Sequence, residues 1–213
     1  MNAPAPQTLS CPSCGATHEL RNPGVMMIVC EYCSTAIYWD EERIEAAGKQ
    51  SVLPEGSSRL FRGATGRFHQ KRFLVVGRVR YSFGRGFWDE WYLAMDDGAM
   101  QWLTEDNHEL AVQRRVSYDD PRPGSHYRPG DWITVGETRF VVQEVGQAEC
   151  IGVEGELPKQ IVTGETYAYV DASSPDGRST LGLEFDEDGA PTAFMGKWLK
   201  FSELALDDEG DDW

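Results

Sequence analysis

Residues 72–103, RFLVVGRVRYSFGRGFWDEWYLAMDDGAMQWL, leave this chain little choice but antiparallel β-sheet. Drawn as an extended segment, Phe73, Val75, Val79 and Tyr81 fall on one side, with Leu74 and Val76 on the other. Trp91, Leu93 and Met95 then share a face, which makes Trp91 a core residue, as is Trp102 on the next strand. Between them Asp97-Gly98 predicts a tight hairpin, because glycine accepts the positive φ such a turn demands. Further strands are expected around Leu60 and Phe61 and over 109–112, 132–135, 139–145, 147–153, 167–170 and 180–185. In the last of these, Leu181, Leu183 and Phe185 alternate with Gly182, Glu184 and Asp186, which indicates one buried and one wet face.

The segment KRFLVVG at 71–77 is echoed by TRFVVQE at 138–144. The repeat predicts two related small barrel-like halves, 59–116 and 131–206, joined by the proline- and glycine-rich loop 117–130. The expected fold is mainly β: an N-terminal zinc ribbon followed by an antiparallel β domain.

The ribbon rests on Cys11-Pro-Ser-Cys14 and Cys30-Glu-Tyr-Cys33, two C-x-x-C pairs fifteen residues apart. Each pair is a knuckle whose two thiolates can face one ion, and together they complete a tetrahedron. Structural Zn2+ is the favoured occupant, with an iron–sulfur or redox centre as the alternatives. Four thiolates leave no open position for water, which argues against a catalytic metal. His18 is a weak alternative ligand, and His18 and Arg21 are minor candidates for surface contacts. Leu20 and Val25–Val29 are expected as two arms of one small hairpin, with Ala36–Trp39 closing the ribbon. Residues 1–10 read as a flexible lead. Asp40 stands where a helix cap would, so a short helix is expected over 41–47, stopped by Gly48, before a linker at 49–58.

The net charge of −15 opposes general binding to nucleic acid or anionic lipid, but it is uneven. From Gly56 to Trp88 there is no acidic residue against eight basic ones, whereas Asp171–Trp213 carries twelve acidic residues and three basic ones. Arg78, Arg80, Arg85 and Trp88 are therefore the candidate partner-binding residues, with the chain's own acidic tail, 207–213, as one possible anion. A nucleic-acid role would need a basic ribbon, yet residues 11–39 hold Arg21 alone against Glu19 and Glu31.

Val76-Gly-Arg-Val-Arg-Tyr81, Trp88-Asp-Glu-Trp-Tyr-Leu93, Asp97-Gly98 and Trp102-Leu103 resemble a bacterial family, domain-of-unknown-function family 4178. Gly155-Glu-Leu-Pro158 and Gly164-Glu-Thr-Tyr167 resemble its second portion, so the likeness spans about Leu60 to Leu206 and leaves the cysteine knuckles outside. The resemblance carries no active site to transfer. It implies an adaptor role beside membrane-stress or membrane-remodelling systems.

Catalysis is not expected. Asp89 and Glu90 point to opposite faces of a regular strand, and His69, His108 and His126 are separated by turns. Cys150 reads as a buried apolar residue, and no phosphate-cradling glycine loop opens a helix. The leading expectation is a non-enzymatic protein-interaction module with a protein partner and contact with an anionic membrane face. A nucleic-acid-binding zinc-ribbon protein is the alternative, and a hydrolase of unknown substrate the more distant one. The expected location is the cytoplasm, peripheral to the inner membrane, with a homodimer plausible through exposed strand edges.

Overall fold

The computed structural model describes residues 7–22, 24–39, 44–49, 53, 58–107, 109–119, 124–185 and 191–207. Among these residues there are sixteen strands, two short 3-10 turns and no α-helix. Among the described residues no helix is long and apolar enough to cross a membrane.

The N-terminal module holds β1 (Gln7–Ser10), β2 (Thr17–Leu20), β3 (Met27–Val29), β4 (Thr35–Trp39) and β5 (Ile44–Lys49). Leu20 and Val25–Val29 do not pair with each other, contrary to the single hairpin expected. Each knuckle instead reverses the chain on itself, so β1 pairs with β2 and β3 with β4. Two further expectations are corrected. Gln7–Ser10 is strand rather than free lead, and the helix expected over 41–47 is replaced from Ile44 by β5, which pairs with β4. Hydrogen bonding to an existing strand edge outweighs the helix preference of a segment too short to be a stable helix alone. Residues 40–43 and most of the 49–58 linker lie outside the described residues.

The second module contains β6 (Thr65–Phe68), β7 (Lys71–Ser82), β8 (Phe87–Met95), β9 (Met100–Asp106), β10 (Glu109–Val116), β11 (Trp132–Val135), β12 (Thr138–Leu157), β13 (Thr166–Ser173), β14 (Ser179–Phe185), β15 (Pro191–Leu199) and β16 (Ala205–Leu206). Hydrogen bonds run β7-β8-β9-β10-β15-β14-β13-β12, and β12 pairs back to β7. The path is a closed antiparallel barrel of eight strands. The two sequence halves thus complete one barrel between them. Their echoing segments begin β7 and β12, the two strands whose union closes it.

β12 is the tie of the molecule. Along its twenty residues it pairs in turn with β11, β13, β7 and finally β3 of the N-terminal module. The ribbon therefore packs directly on the barrel. At the same seam the Glu156 carboxylate accepts hydrogen bonds from the backbone N–H of Arg21 at 3.0 and 3.1 Å and of Asn22 at 3.0 Å. Arg62 reaches Glu31 at 2.7 Å, and Met27, Val29 and Ala36 of the ribbon share one apolar cluster with Val79, Tyr92 and Leu157 of the barrel.

The organising stretch departs from simple alternation at one point. A β-bulge between Val75 and Gly77 shifts the register, so Phe73 and Val75 pack with Trp91 and Leu93 while Val79 and Tyr81 face the other way. The four residues expected on one side are split, because a bulge adds one residue and turns every later side chain over. The bulge lies where β7 crosses β12 at close range. A Cβ on Gly77 would collide with the Glu156 carbonyl oxygen, and one on Gly155, at φ +74°, with that of Val76. Gly155→Ala is expected to cost about 2–4 kcal/mol, combining overpacking with a left-handed backbone. Gly164→Ala, with φ +93° and open space around it, carries only the backbone cost. Urea unfolding of the two variants reads the difference, and equal midpoints would show that the crossing is not tightly packed.

Candidate functional site

Three features concentrate chemistry: the cysteine cluster, a buried arginine–aspartate cluster on the outer barrel face, and the lumen.

Both knuckles are built alike. The N–H of Gly15 donates to the Cys11 carbonyl at 2.8 Å and that of Ser34 to the Cys30 carbonyl at 2.8 Å, and both residues have positive φ, +77° and +58°. The turns bring the four Sγ atoms of Cys11, Cys14, Cys30 and Cys33 within 4.8 Å of one another. Cys11–Cys33 and Cys14–Cys30 are each 3.7 Å apart. With Zn–S bonds of about 2.3 Å a tetrahedron has edges of about 3.8 Å, so donor set and spacing both fit structural zinc. Burial pushes the Cys30 thiol up to about 12, whereas the Thr35 hydroxyl and N–H hold Cys33 down to about 6. Zinc bound by Cys11, Cys14, Cys30 and Cys33 would favour the thiolate at all four. His18 is not in the cluster; its ring is buried, with Nδ1 4.0 Å from Glu31.

The predicted partner-binding arginines are placed otherwise than expected. Arg78 and Arg80 are 5% and 4% exposed, too buried to meet a macromolecular surface. Both clamp Asp89, itself 4% exposed, through four N–H···O contacts of 2.8–3.0 Å. Glu154 accepts from Arg78 at 3.3 Å, Arg78 lies over Trp91 and Arg80 over Phe87. The rest of the basic run is largely neutralised within the chain as well. Arg62 meets Glu31, Lys71 meets Asp97, and Arg72 meets Asp207 at the start of the acidic tail, whose residues 208–213 lie outside the described residues. Of the four candidates, Arg85 is exposed in the β7–β8 loop and Trp88 is half-buried, facing inward.

Trp88 faces the lumen, a cavity of about 330 Å3. On β8 the inward positions are Trp88 and Glu90, on β9 Trp102, Thr104 and Asp106, and on β13 Tyr167, Tyr169 and Asp171. The rings of Trp88 and Tyr169 stand 5.4 Å apart, centroid to centroid, across strands that are not neighbours. Glu90 accepts from Trp88 Nε1 at 3.1 Å, and Tyr169 donates to Glu144 at 2.9 Å. Burial, and then the charge of Glu184, push the Glu90 carboxyl up to about 8. Asp171 is exposed to the cavity, and the protein around it, with the charges of Glu144 and Glu184 nearby, raises it to about 7. The Tyr167 hydroxyl is sealed from solvent and has no hydrogen-bond partner among the described residues. None of the lining residues is Lys, Arg or His. These inward acids escaped sequence reasoning because each reads locally as the wet face of a strand.

The family model described as a domain of unknown function, DUF4178, matches residues 62–201, most of the chain and all eight barrel strands. The chain belongs to the DUF4178 family. No curated protein and no solved structure matches it. The DUF4178 segment begins after the cysteine knuckles, so the ribbon is an addition whose seam runs along β12 and the family's barrel supplies the lumen.

Proposed function

We propose that this DUF4178 chain is a non-enzymatic interaction module whose binding site is the barrel lumen. The observation that carries the reading is the aromatic-walled cavity of about 330 Å3, the size of an ordinary small-molecule pocket. An eight-stranded barrel is just wide enough to hold one small ligand. The non-catalytic part of the reading draws on the kind of side chains in the lining, where the described residues include aromatic and acidic ones but no Cys or His. Cys150 is fully buried, its thiol pushed up to about 11 by burial, and none of the described histidines lines the cavity.

Gly182 has room for a side chain on the lumen face, so Gly182→Leu fills the cavity without displacing backbone. In a thermal-shift screen of charged and neutral metabolites, at least one should raise the Tm of the wild-type chain by about 5 °C at ~100 times its Kd. Gly182→Leu should keep its fold and lose that shift. A panel with no shift that depends on Gly182 would contradict the reading.

A second reading, docking to a protein partner in a cytoplasmic, membrane-peripheral stress or remodelling system, draws on the family resemblance and on Trp132. That residue is 48% exposed with Arg139 stacked over it at 4.1 Å, the pairing of residue types that interfaces favour. Nucleic-acid binding has less support, because most of the basic run is spent on acidic partners inside the chain.

A further inference from the structure

The lining of the lumen is one-sided in charge. Glu90, Asp106, Glu144, Asp171 and Glu184 all border it, and none of the described lining residues is basic, although Lys159 reaches Glu184 from the β12–β13 connection. Solvated carboxylates on an outer face would be unremarkable, but these sit between aromatic rings. Asp171 has no side-chain hydrogen-bond or ion-pair partner among the described residues. Its Oδ1 lies 3.6 Å from where a Cβ on Gly182 would be, so the glycine leaves open space directly beside an unpaired acid. Enclosing like charges this way raises the energy of the empty site, and a bound cation would lower it.

The kind of cation follows from spacing. Among the described residues the four cysteines form the sole group of three or more potential ligands close enough to share one metal ion. No three of the described lumen carboxylates therefore meet at one point, as a Ca2+ or Mg2+ site requires. They are distributed around aromatic walls formed by Trp88, Trp102, Tyr167 and Tyr169, and such faces attract organic cations. The chain itself supplies a precedent. Lys159, from the β12–β13 connection, places its ammonium 2.9 Å from Glu184 and is also held in the charged form by Glu90.

We propose that the barrel lumen binds an aliphatic organic cation with two or more amine groups, held between Glu90 on β8 and Asp171 on β13, strands three places apart around the barrel, and flanked by the aromatic rings. This rests on the lumen being the binding site and adds the ligand's chemical class. Separated acids favour a multiply charged chain over a single ammonium, and the rings cover its methylene segments.

The test is calorimetric titration of the full, zinc-loaded chain with putrescine, spermidine and n-butylamine at about 0.15 M salt, where surface attraction is screened beyond about 8 Å. Saturable one-to-one binding of putrescine or spermidine, at least tenfold tighter than n-butylamine, is expected. Glu90→Gln with Asp171→Asn should weaken it by tenfold or more. That double variant relieves like-charge crowding, so it should fold at least as well as wild type, which circular dichroism checks. Affinity should also fall from about pH 8.5 to about pH 5.5, because Glu90 and Asp171 take up protons across that range while the amines stay charged. The groups facing them are Glu144, Glu184, Asp106 and Lys159, with Arg115 beyond Lys159. No saturable binding of either polyamine, or equal affinity in the double variant, would overturn the proposal. If the metabolite screen instead finds a neutral or anionic ligand whose effect Gly182→Leu removes, the lumen reading stands and only the cation class falls.

Discussion

Replacing Asp89 with Ala is expected to destabilise the fold by about 3–5 kcal/mol, the typical cost of leaving a buried charge without its partner. Two guanidinium groups depend on this one carboxylate. Arg78 and Arg80 each present Nε and an Nη2 to it, and among the described residues only Arg78 has a second acid, Glu154. With Asp89 gone, Arg80 would be left with the face of Phe87, which offsets little of the desolvation cost. The cluster also sits on the β7–β8 ladder, where Arg80 is directly opposite Asp89, so its loss should loosen the strand pair. Urea unfolding measures the effect. Changing Arg78, Arg80 and Asp89 together to apolar residues of similar volume is expected to recover most of the stability, since a whole buried ion cluster contributes little net. If Asp89→Ala alone costs under ~1 kcal/mol, the three groups are solvated and the burial described above is wrong.

Metal removal should have the other large effect. Structural zinc in small modules contributes apparent binding energies of about 10–16 kcal/mol, and in such modules that energy is folding energy. The strands flanking each knuckle are three to five residues long, too short to persist as isolated hairpins. Cys30→Ser, or a strong chelator, is therefore expected to unfold the ribbon. The consequence should travel into the barrel along β12. Glu156 would lose the Arg21 and Asn22 N–H donors while remaining next to the β7 crossing, and the cluster around Val79 and Leu157 would lose Met27, Val29 and Ala36. The expected readout is one zinc per chain in the wild type, loss of that zinc in Cys30→Ser, and a Tm lowered by more than ten degrees, an order-of-magnitude figure for several kcal/mol in a chain of this size. Full stability in Cys30→Ser with metal content intact would remove the structural assignment.

Local patterns were legible in the sequence, and the joins between them were not. The C-x-x-C pairs, the Asp97-Gly98 turn and the alternation at Leu181, Leu183 and Phe185 each sit within a few residues, and all are present. Barrel closure depends on β7 meeting β12, about seventy residues later, and no local period encodes that pairing. The bulge at Val75–Gly77 was hidden because its cause, the close approach of Gly155, comes from the same distant strand. Arg78-Val-Arg80 looked like a wet, basic edge because the neutralising acid lies across a hairpin. That contact did leave a signal: pairing Ser82 with Phe87 forces Arg80 opposite Asp89. The lumen left one too. β8 carries Trp-x-Glu-x-Tyr, β9 Trp-x-Thr-x-Asp and β13 Tyr-x-Tyr-x-Asp on the face opposite their apolar residues. A strand face turned to bulk water has no reason to repeat large aromatics, so aromatic and acidic residues sharing the polar face on three strands mark an enclosed site.

The indole N–H resonances of the zinc-loaded chain, recorded by NMR before and after adding spermidine, test most directly whether a small molecule enters the barrel. Trp88, Trp102 and Trp198 line the lumen, whereas Trp91 is buried on the opposite face and Trp132 is exposed on β11. Shifts confined to the lumen indoles, strongest for Trp88 whose N–H holds Glu90, with Trp91 and Trp132 unmoved, are the predicted result. Shifts centred on Trp132, or none among the lumen indoles at saturating spermidine, would contradict binding of an organic cation in the barrel.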